Sequence, residues 1–171
     1  SRVITLTTTI PTNTPRSARD VVNVTITPDH WQGVNSTISF GSKTPAGILL
    51  VDDERFSHSE QAYLDALAPH GAVDRWDTRA DQNSTQYAEP TLDALSMYPL
   101  VAWFNGYDWF KPLTPNEKTV MRDYVLRGGG LWFSSQAALQ YSEGDDIDRN
   151  IFGVAAIDFD DITSDTVRAP N

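Results

Sequence analysis

Four groups of residues in this chain have types and spacings that can do chemistry. Asp52, Asp53 and Glu54 follow directly on the apolar run 48–51 in "AGILLVDDERFSHSEQAYLDAL". An apolar run that opens onto carboxylates and then a helical pattern reads as a buried parallel strand delivering side chains to its carboxyl end, the edge where open α/β sheets hold ligands. Carboxylates there can bind a ligand, or can accept backbone hydrogen bonds and hold the mouth of the sheet rigid. In "LRGGGLWFSSQAAL", a glycine-rich turn, an apolar strand and then Ser134, Ser135 and Gln136 entering a helix give the layout of a nucleophile elbow, in which a strained turn lifts a hydroxyl beside backbone donors. A serine needs a base. The three histidines, His30, His58 and His70, all precede the elbow, and His58 on the loop after the first α/β strand is the one candidate for that role.

The third group is "WFNGYDWF", where Trp103 and Phe104 fall inside a strand and Asn105, Tyr107, Asp108, Trp109 and Phe110 fall at its end. Loop aromatics beside polar groups suit a sugar- or peptide-binding cleft, or pack over the end of the sheet. The fourth is acidic: Glu143, Asp145, Asp146 and Asp148, then Asp158, Asp160, Asp161 and Asp165, with Arg149 among them. Calcium needs several oxygens converging on one point, and "DDID" lacks the glycine turn and distal Glu of an EF-hand loop. A solvated acidic surface is the expectation, with a cation-binding accessory role as the alternative. No metal site and no cofactor are assigned.

Elements must position these groups. Residues 2–10 and 21–27 alternate apolar and polar side chains with β-branched residues prominent, so two strands of a hairpin are expected there, the end of a β-sandwich or strands that pack on the following domain. Residues 28–45 read as linker and short edge strand, pinned by Trp31 and Phe40. From Gly47 strand and helix alternate, the signature of a parallel sheet. Strands are expected at 48–51, 72–78, 100–106, 131–134 and 154–159. A helix from Ser57 or Ser59 should bury Ala62, Tyr63, Ala66 and Leu67 and end at Gly71, and "TLDALSMYP" reads as a short helix. Thr114, Pro115 and Glu117 form a capping box with proline at the first helical position. The helix they start should bury Val120, Met121, Tyr124 and Val125 and end at Gly128, with a further short helix from Ala137.

Composition narrows the function. The 23 acidic residues against 13 basic ones leave a net charge of −10, a field that repels nucleic acid and anionic lipid and favours cations or basic partners. No apolar run of roughly 18 residues is present, so no membrane insertion is expected. With no cysteine, disulfides, thiolate metal sites and a cysteine nucleophile are all excluded within this sequence. That absence and a Thr-, Ser- and Asn-rich surface fit an extracellular or cell-surface bacterial protein. The sequence begins at Ser1 without Met and is read as a piece of a longer one.

"ILLVDDE" resembles the opening of a receiver domain, but the phosphoacceptor position at the end of the third strand holds Asn105 or Gly106, which cannot take a phosphoryl group as a carboxylate does. A longer resemblance joins "ILLVDD", "LVAWFNG", the helix beginning "TPNE" and "GGGLWFSS": the segment from 46 to about 160 resembles the class I glutamine amidotransferase-like fold, in its non-catalytic branch found in large secreted bacterial proteins. The resemblance implies a flavodoxin-like three-layer sandwich with a mostly parallel sheet over 46–171, preceded at 1–45 by β-strands from the end of a β-sandwich. Active members of that family carry Cys at the elbow and His on a later loop, and this sequence departs from both. The expected function is a non-catalytic interaction or ligand-binding module, with ligand residues Asp52, Asp53, Asn105, Tyr107, Trp109, Ser134, Ser135 and Gln136, and with adjacent domains of the parent protein, or a sugar or peptide, as partners. The alternative from enzyme chemistry is a serine-dependent hydrolase or amidase using Ser135 with His58.

Overall fold

The structure is a computed structural model that describes residues 5, 7–27, 33, 35–56, 58–78, 88–109, 112–141 and 145–154. It is α/β, with a four-stranded parallel sheet and a separate antiparallel pair of strands. The parallel sheet holds β3 (Ile48–Asp52), β4 (Val73–Asp77), β5 (Leu100–Gly106) and β6 (Gly130–Ser135) in the order β4-β3-β5-β6. The antiparallel pair is β1 (Arg19–Ile26) and β2 (Ser36–Lys43).

The two inner strands are apolar up to their carboxyl ends because both of their faces are covered. Leu49, Val51, Val101 and Trp103 point to one side, where they meet Leu95 of α2 (Leu92–Ser96), Val120, Met121 and Tyr124 of α3 (Pro115–Leu126), and Ile147 of α5 (Asp146–Asn150). Ile48, Leu50, Ala102 and Phe104 point to the other, against Tyr63, Leu64 and Leu67 of α1 (Glu60–Leu67). Each large apolar side chain fully removed from water contributes about 1.5–3 kcal/mol, so these two clusters are the main stabilising term. The face of α1 differs from the one expected: Ala62 and Ala66 are exposed, and Leu64 packs inward in their place. A methyl group gains little by burial, so the larger side chains set the helix's rotation.

Local chemistry fixes the ends of α3. The Thr114 hydroxyl accepts from the Glu117 N–H at 3.2 Å and the Glu117 carboxylate accepts from the Thr114 N–H at 2.7 Å, completing the box with Pro115 at the first helical position. After the helix, Gly128 takes φ +90°, a left-handed conformation that glycine adopts without steric cost. The ring of buried Tyr124 then lies so close over Gly129 that a Cβ there would fall 2.2 Å from it. The Tyr124 hydroxyl donates between two carbonyls, Tyr98 at 3.0 Å and Gly130 at 3.2 Å, which joins α3 to the starts of β5 and β6.

The antiparallel pair corrects the expected hairpin. Residues 7–10 are not in a strand, and β1 pairs instead with β2, Val22 opposite Phe40 and Val24 opposite Ile38. One face of this pair carries Val22, Val24, Ile26, Ile38 and Phe40, and the other is tied by side-chain bonds between Thr25 and Thr37 and between Ser39 and Asn23. Phe40 is 47% exposed, and Trp31 lies outside the described residues. The base of the hairpin is fastened to the parallel sheet: Arg16 donates to the Ala46 carbonyl at 2.7 Å, and Lys43 pairs with Asp74. Most of the strand expected at 154–159 also lies outside the described residues, and Val154 itself is not in a strand.

Candidate functional site

The order β4-β3-β5-β6 reverses the direction of travel between β3 and β5. From β3 the chain steps outward to β4, and from β5 it steps outward the other way to β6, so the loops after β3 and β5 diverge and leave a crevice at the carboxyl edge. Asp52, Asp53 and Glu54 leave β3 there, and Asn105 to Trp109 leave β5.

Asp53 is buried at this switch point and serves three strands. One carboxylate oxygen accepts from the Thr78 hydroxyl at 2.8 Å, beyond the end of β4; the other faces Trp103 Nε1 at 3.4 Å and Asn105 Nδ2 at 3.3 Å on β5. Its own N–H bonds to the Phe104 carbonyl at 2.9 Å, and Thr78 N–H bonds to the Asp52 carbonyl at 2.9 Å, so the ladders run past the assigned strand ends. Asn105, fully buried, also donates to the Pro112 carbonyl at 2.6 Å, fixing the loop that leads to α3. These are the bonds of a structural hub.

Asp52 points to the opposite face, half-buried, with Asp77 beside it in register. Burial is the main cause that pushes its carboxyl up to about 6; the Glu54 N–H, donating at 3.1 Å, opposes this, and the charges of Glu54, Glu60 and Asp77 reinforce it. Glu54 accepts from the Ser59 N–H at 2.8 Å and hydroxyl at 2.6 Å, which holds the entry to α1. Arg55 reaches across the crevice, its Nε 3.0 Å from the carboxylate of Asp108, whose side chain is wholly buried. That ion pair ties the two diverging loops together.

A pocket of about 420 Å³ opens beside it, lined by Arg55 from the loop after β3, by residues 112–115 before and at the start of α3, by Lys118 on its first turn, and by Ala138 and Tyr141 of α4 (Ala138–Tyr141). Pro112, Leu113, Pro115 and Ala138 are its apolar lining residues and Arg55, Thr114, Lys118 and Tyr141 its polar ones, the Thr114 hydroxyl donating to Glu89 at 2.7 Å. Lys118 lies 2.6 Å from Asp145.

None of the expected ligand residues lines this pocket. Ser134 and the Tyr63 hydroxyl share a 2.7 Å hydrogen bond on the α1 side of the sheet, and the Ser135 hydroxyl accepts from the Ala138 N–H at 3.1 Å, capping α4. Gln136 is exposed, its N–H bonded to the Gly106 carbonyl at 3.2 Å. His58 is exposed on the loop before α1, and His70 lies beyond the other end of that helix, in a 3-10 turn. Tyr107 and Trp109 are 61% and 59% exposed; Phe110, His30, Glu143, Asp158, Asp160, Asp161 and Asp165 lie outside the described residues. Asp145 and Asp146 are exposed and Asp148 is buried; among the described residues no three acidic or histidine side chains are grouped to hold a metal.

The pocket-lining residues were missed by sequence reasoning, though a signal was present. A capping box that starts a helix soon after a central strand marks one wall of a switch-point crevice, and Thr114 and Pro115 carry that signal. Arg55 gave none, because its role comes from the distant Asp108.

Fold and site together define an α/β protein with a parallel sheet and a pocket at its carboxyl edge. No protein-family model, curated protein or solved structure matches the chain.

Proposed function

We propose that this chain is a non-catalytic ligand-binding and interaction module of a larger secreted bacterial protein, with a flavodoxin-like three-layer fold of the glutamine amidotransferase-like type. The observation that carries the reading is the division of labour at the carboxyl edge. The switch-point pocket combines aliphatic walls with a few polar groups, the make-up of a small-ligand site. Both elbow hydroxyls are meanwhile engaged, Ser134 with Tyr63 and Ser135 with the start of α4. Tyr107 and Trp109 beside the crevice suit a sugar or peptide ligand. The exposed apolar face of the hairpin supports contact with adjacent domains of the same protein, since a two-stranded sheet is marginal without something packed on it.

Saturation-transfer NMR with N-acetyl-L-leucinamide and with methyl β-D-glucoside, the smallest peptide-like and sugar-like probes, tests the pocket. One of them should receive saturation, and Tyr141→Ala, which removes a pocket wall at a partly exposed position, should reduce it. Transfer to neither probe, or transfer indifferent to Tyr141→Ala, contradicts the reading.

A further inference from the structure

The charges lining the switch-point pocket have the opposite sign to the protein as a whole. The chain carries 23 acidic residues against 13 basic ones, yet the charged residues that line this pocket, Arg55 and Lys118, are both cationic. Their carboxylate partners are not among its lining residues. Asp108, 3.0 Å from Arg55 Nε, is wholly buried, and Asp145, 2.6 Å from Lys118, lines the neighbouring hollow with Arg122. The two pairs differ in what they permit. A guanidinium carries five N–H donors, so Arg55, its side chain 31% exposed, can keep Asp108 neutralised and also face a ligand. The Asp145 side chain is 50% exposed, and an ion pair so open to water is weak, so the flexible Lys118 ammonium can exchange Asp145 for another anion.

We propose that this pocket binds a small carboxylate bearing an aliphatic or aromatic group, its charge on Arg55 and Lys118 and its apolar part on Leu113 and Ala138, a reading that rests on the binding role given to the pocket above and adds the class of ligand. A carboxylate suits these residues better than a phosphate. Phosphates are commonly seated on the free N–H groups of a helix start, and the start of α3 is otherwise engaged. Pro115 has no N–H, the Glu117 N–H donates to the Thr114 hydroxyl at 3.2 Å, and the carboxylates of Glu117 and Glu89 already accept from Thr114 at 2.7 Å each. Negative charge is thus in place there, and anion recognition falls to the two cationic side chains. The Thr114 hydroxyl, donating to Glu89, is committed, which leaves the many hydroxyls of a sugar few partners on this lining. The net charge of −10 opposes an anion only at long range, because physiological salt screens charges over about 8 Å.

Saturation-transfer NMR titration of the whole chain with N-acetyl-L-leucine and with its neutral amide, N-acetyl-L-leucinamide, tests the charge directly. The acid should bind about tenfold more tightly than the amide, the difference that one charge-assisted contact makes. Lys118→Gln should weaken the acid about threefold, leave the amide unaffected and leave the melting temperature unchanged. Arg55→Gln should abolish the preference; it also strips buried Asp108 of its partner, so Lys118→Gln carries the test if that variant does not fold. Arg127→Gln, which removes the same charge at the exposed far end of α3, should change neither affinity. Binding of 4-methylpentanoate as tight as that of N-acetyl-L-leucine assigns a simple acid, and weaker binding assigns the C-terminal residue of a peptide; both fit the proposal. Equal affinity for acid and amide, a preference indifferent to Lys118→Gln, displacement of the acid by equimolar inorganic phosphate, or no binding of the acid overturns it. If the amide or methyl β-D-glucoside still receives saturation that Tyr141→Ala reduces, the pocket stands and only the carboxylate falls; if no probe receives any, both fall.

Discussion

The Thr78 hydroxyl donates to the buried carboxylate of Asp53 at 2.8 Å, linking the chain beyond β4 to the chain beyond β3 at the point where the sheet opens. Asp53→Ala would leave the buried side chains of Thr78, Trp103 and Asn105 without this acceptor, and a loss of about 3–5 kcal/mol is expected. Thr78→Val removes one donor and should cost about 1–2 kcal/mol. Denaturant unfolding with an unchanged m-value checks both.

Asp52 makes stability depend on pH in an unusual direction. Its folded-state carboxyl is raised from 3.8 to about 6, so the folded protein binds this proton more tightly than the unfolded chain. Its contribution is therefore favourable in acid, is lost as pH rises from about 4 to about 6, and is level above that. Asp52→Asn keeps an acceptor for the Glu54 N–H and removes the charge. It should raise stability at pH 7 by about 1 kcal/mol, a figure discounted for partial exposure, and leave it unchanged near pH 3.5, as melts of both proteins across that range would report.

Gly129 admits no side chain while Tyr124 stays in place, because a Cβ would lie 2.2 Å from its ring. Gly129→Ala should cost about 1–3 kcal/mol through forced repacking. Tyr124→Phe, which leaves the Tyr98 and Gly130 carbonyls without that donor, should cost about 1–2 kcal/mol. Thermal melts would show whether the two effects combine without adding, as expected for groups in contact.

Arg16 fastens the hairpin by donating to the Ala46 carbonyl at 2.7 Å and the Met97 carbonyl at 3.2 Å. Arg16→Ala should lower amide protection in β1 and β2 while β3 and β5 keep theirs, because the anchor is local and the core is not. Hydrogen exchange followed by mass spectrometry separates the two regions.

Most of the parallel sheet was legible in the sequence, for a physical reason: buried strands such as "ILLV" and "LVAWF" cannot be mistaken for solvent-exposed loop, and the Thr114-Pro115-Glu117 box is a purely local device. The hairpin was misread because "RVITLTTTI" has strand chemistry of its own, while β1 pairs with "STISFGSK", whose single Phe and Ile give a weaker pattern. Asp52 and Asn105 stand at the carboxyl ends of β3 and β5, as the apolar runs before them imply, but the contacts made there were not legible. That Asp53 would be enclosed by Thr78, Trp103 and Asn105, and that Arg55 would meet Asp108, depends on contacts between residues 25 to 53 positions apart, which no local pattern encodes.

The central claim, that this edge binds and does not catalyse, is tested most directly by intact-mass measurement after exposure to a serine-directed fluorophosphonate. The account predicts no adduct, because the Ser134 hydroxyl is bonded to that of Tyr63 and the Ser135 hydroxyl accepts from the Ala138 N–H. A stoichiometric adduct on either serine, abolished by Ser134→Ala or Ser135→Ala, would contradict it.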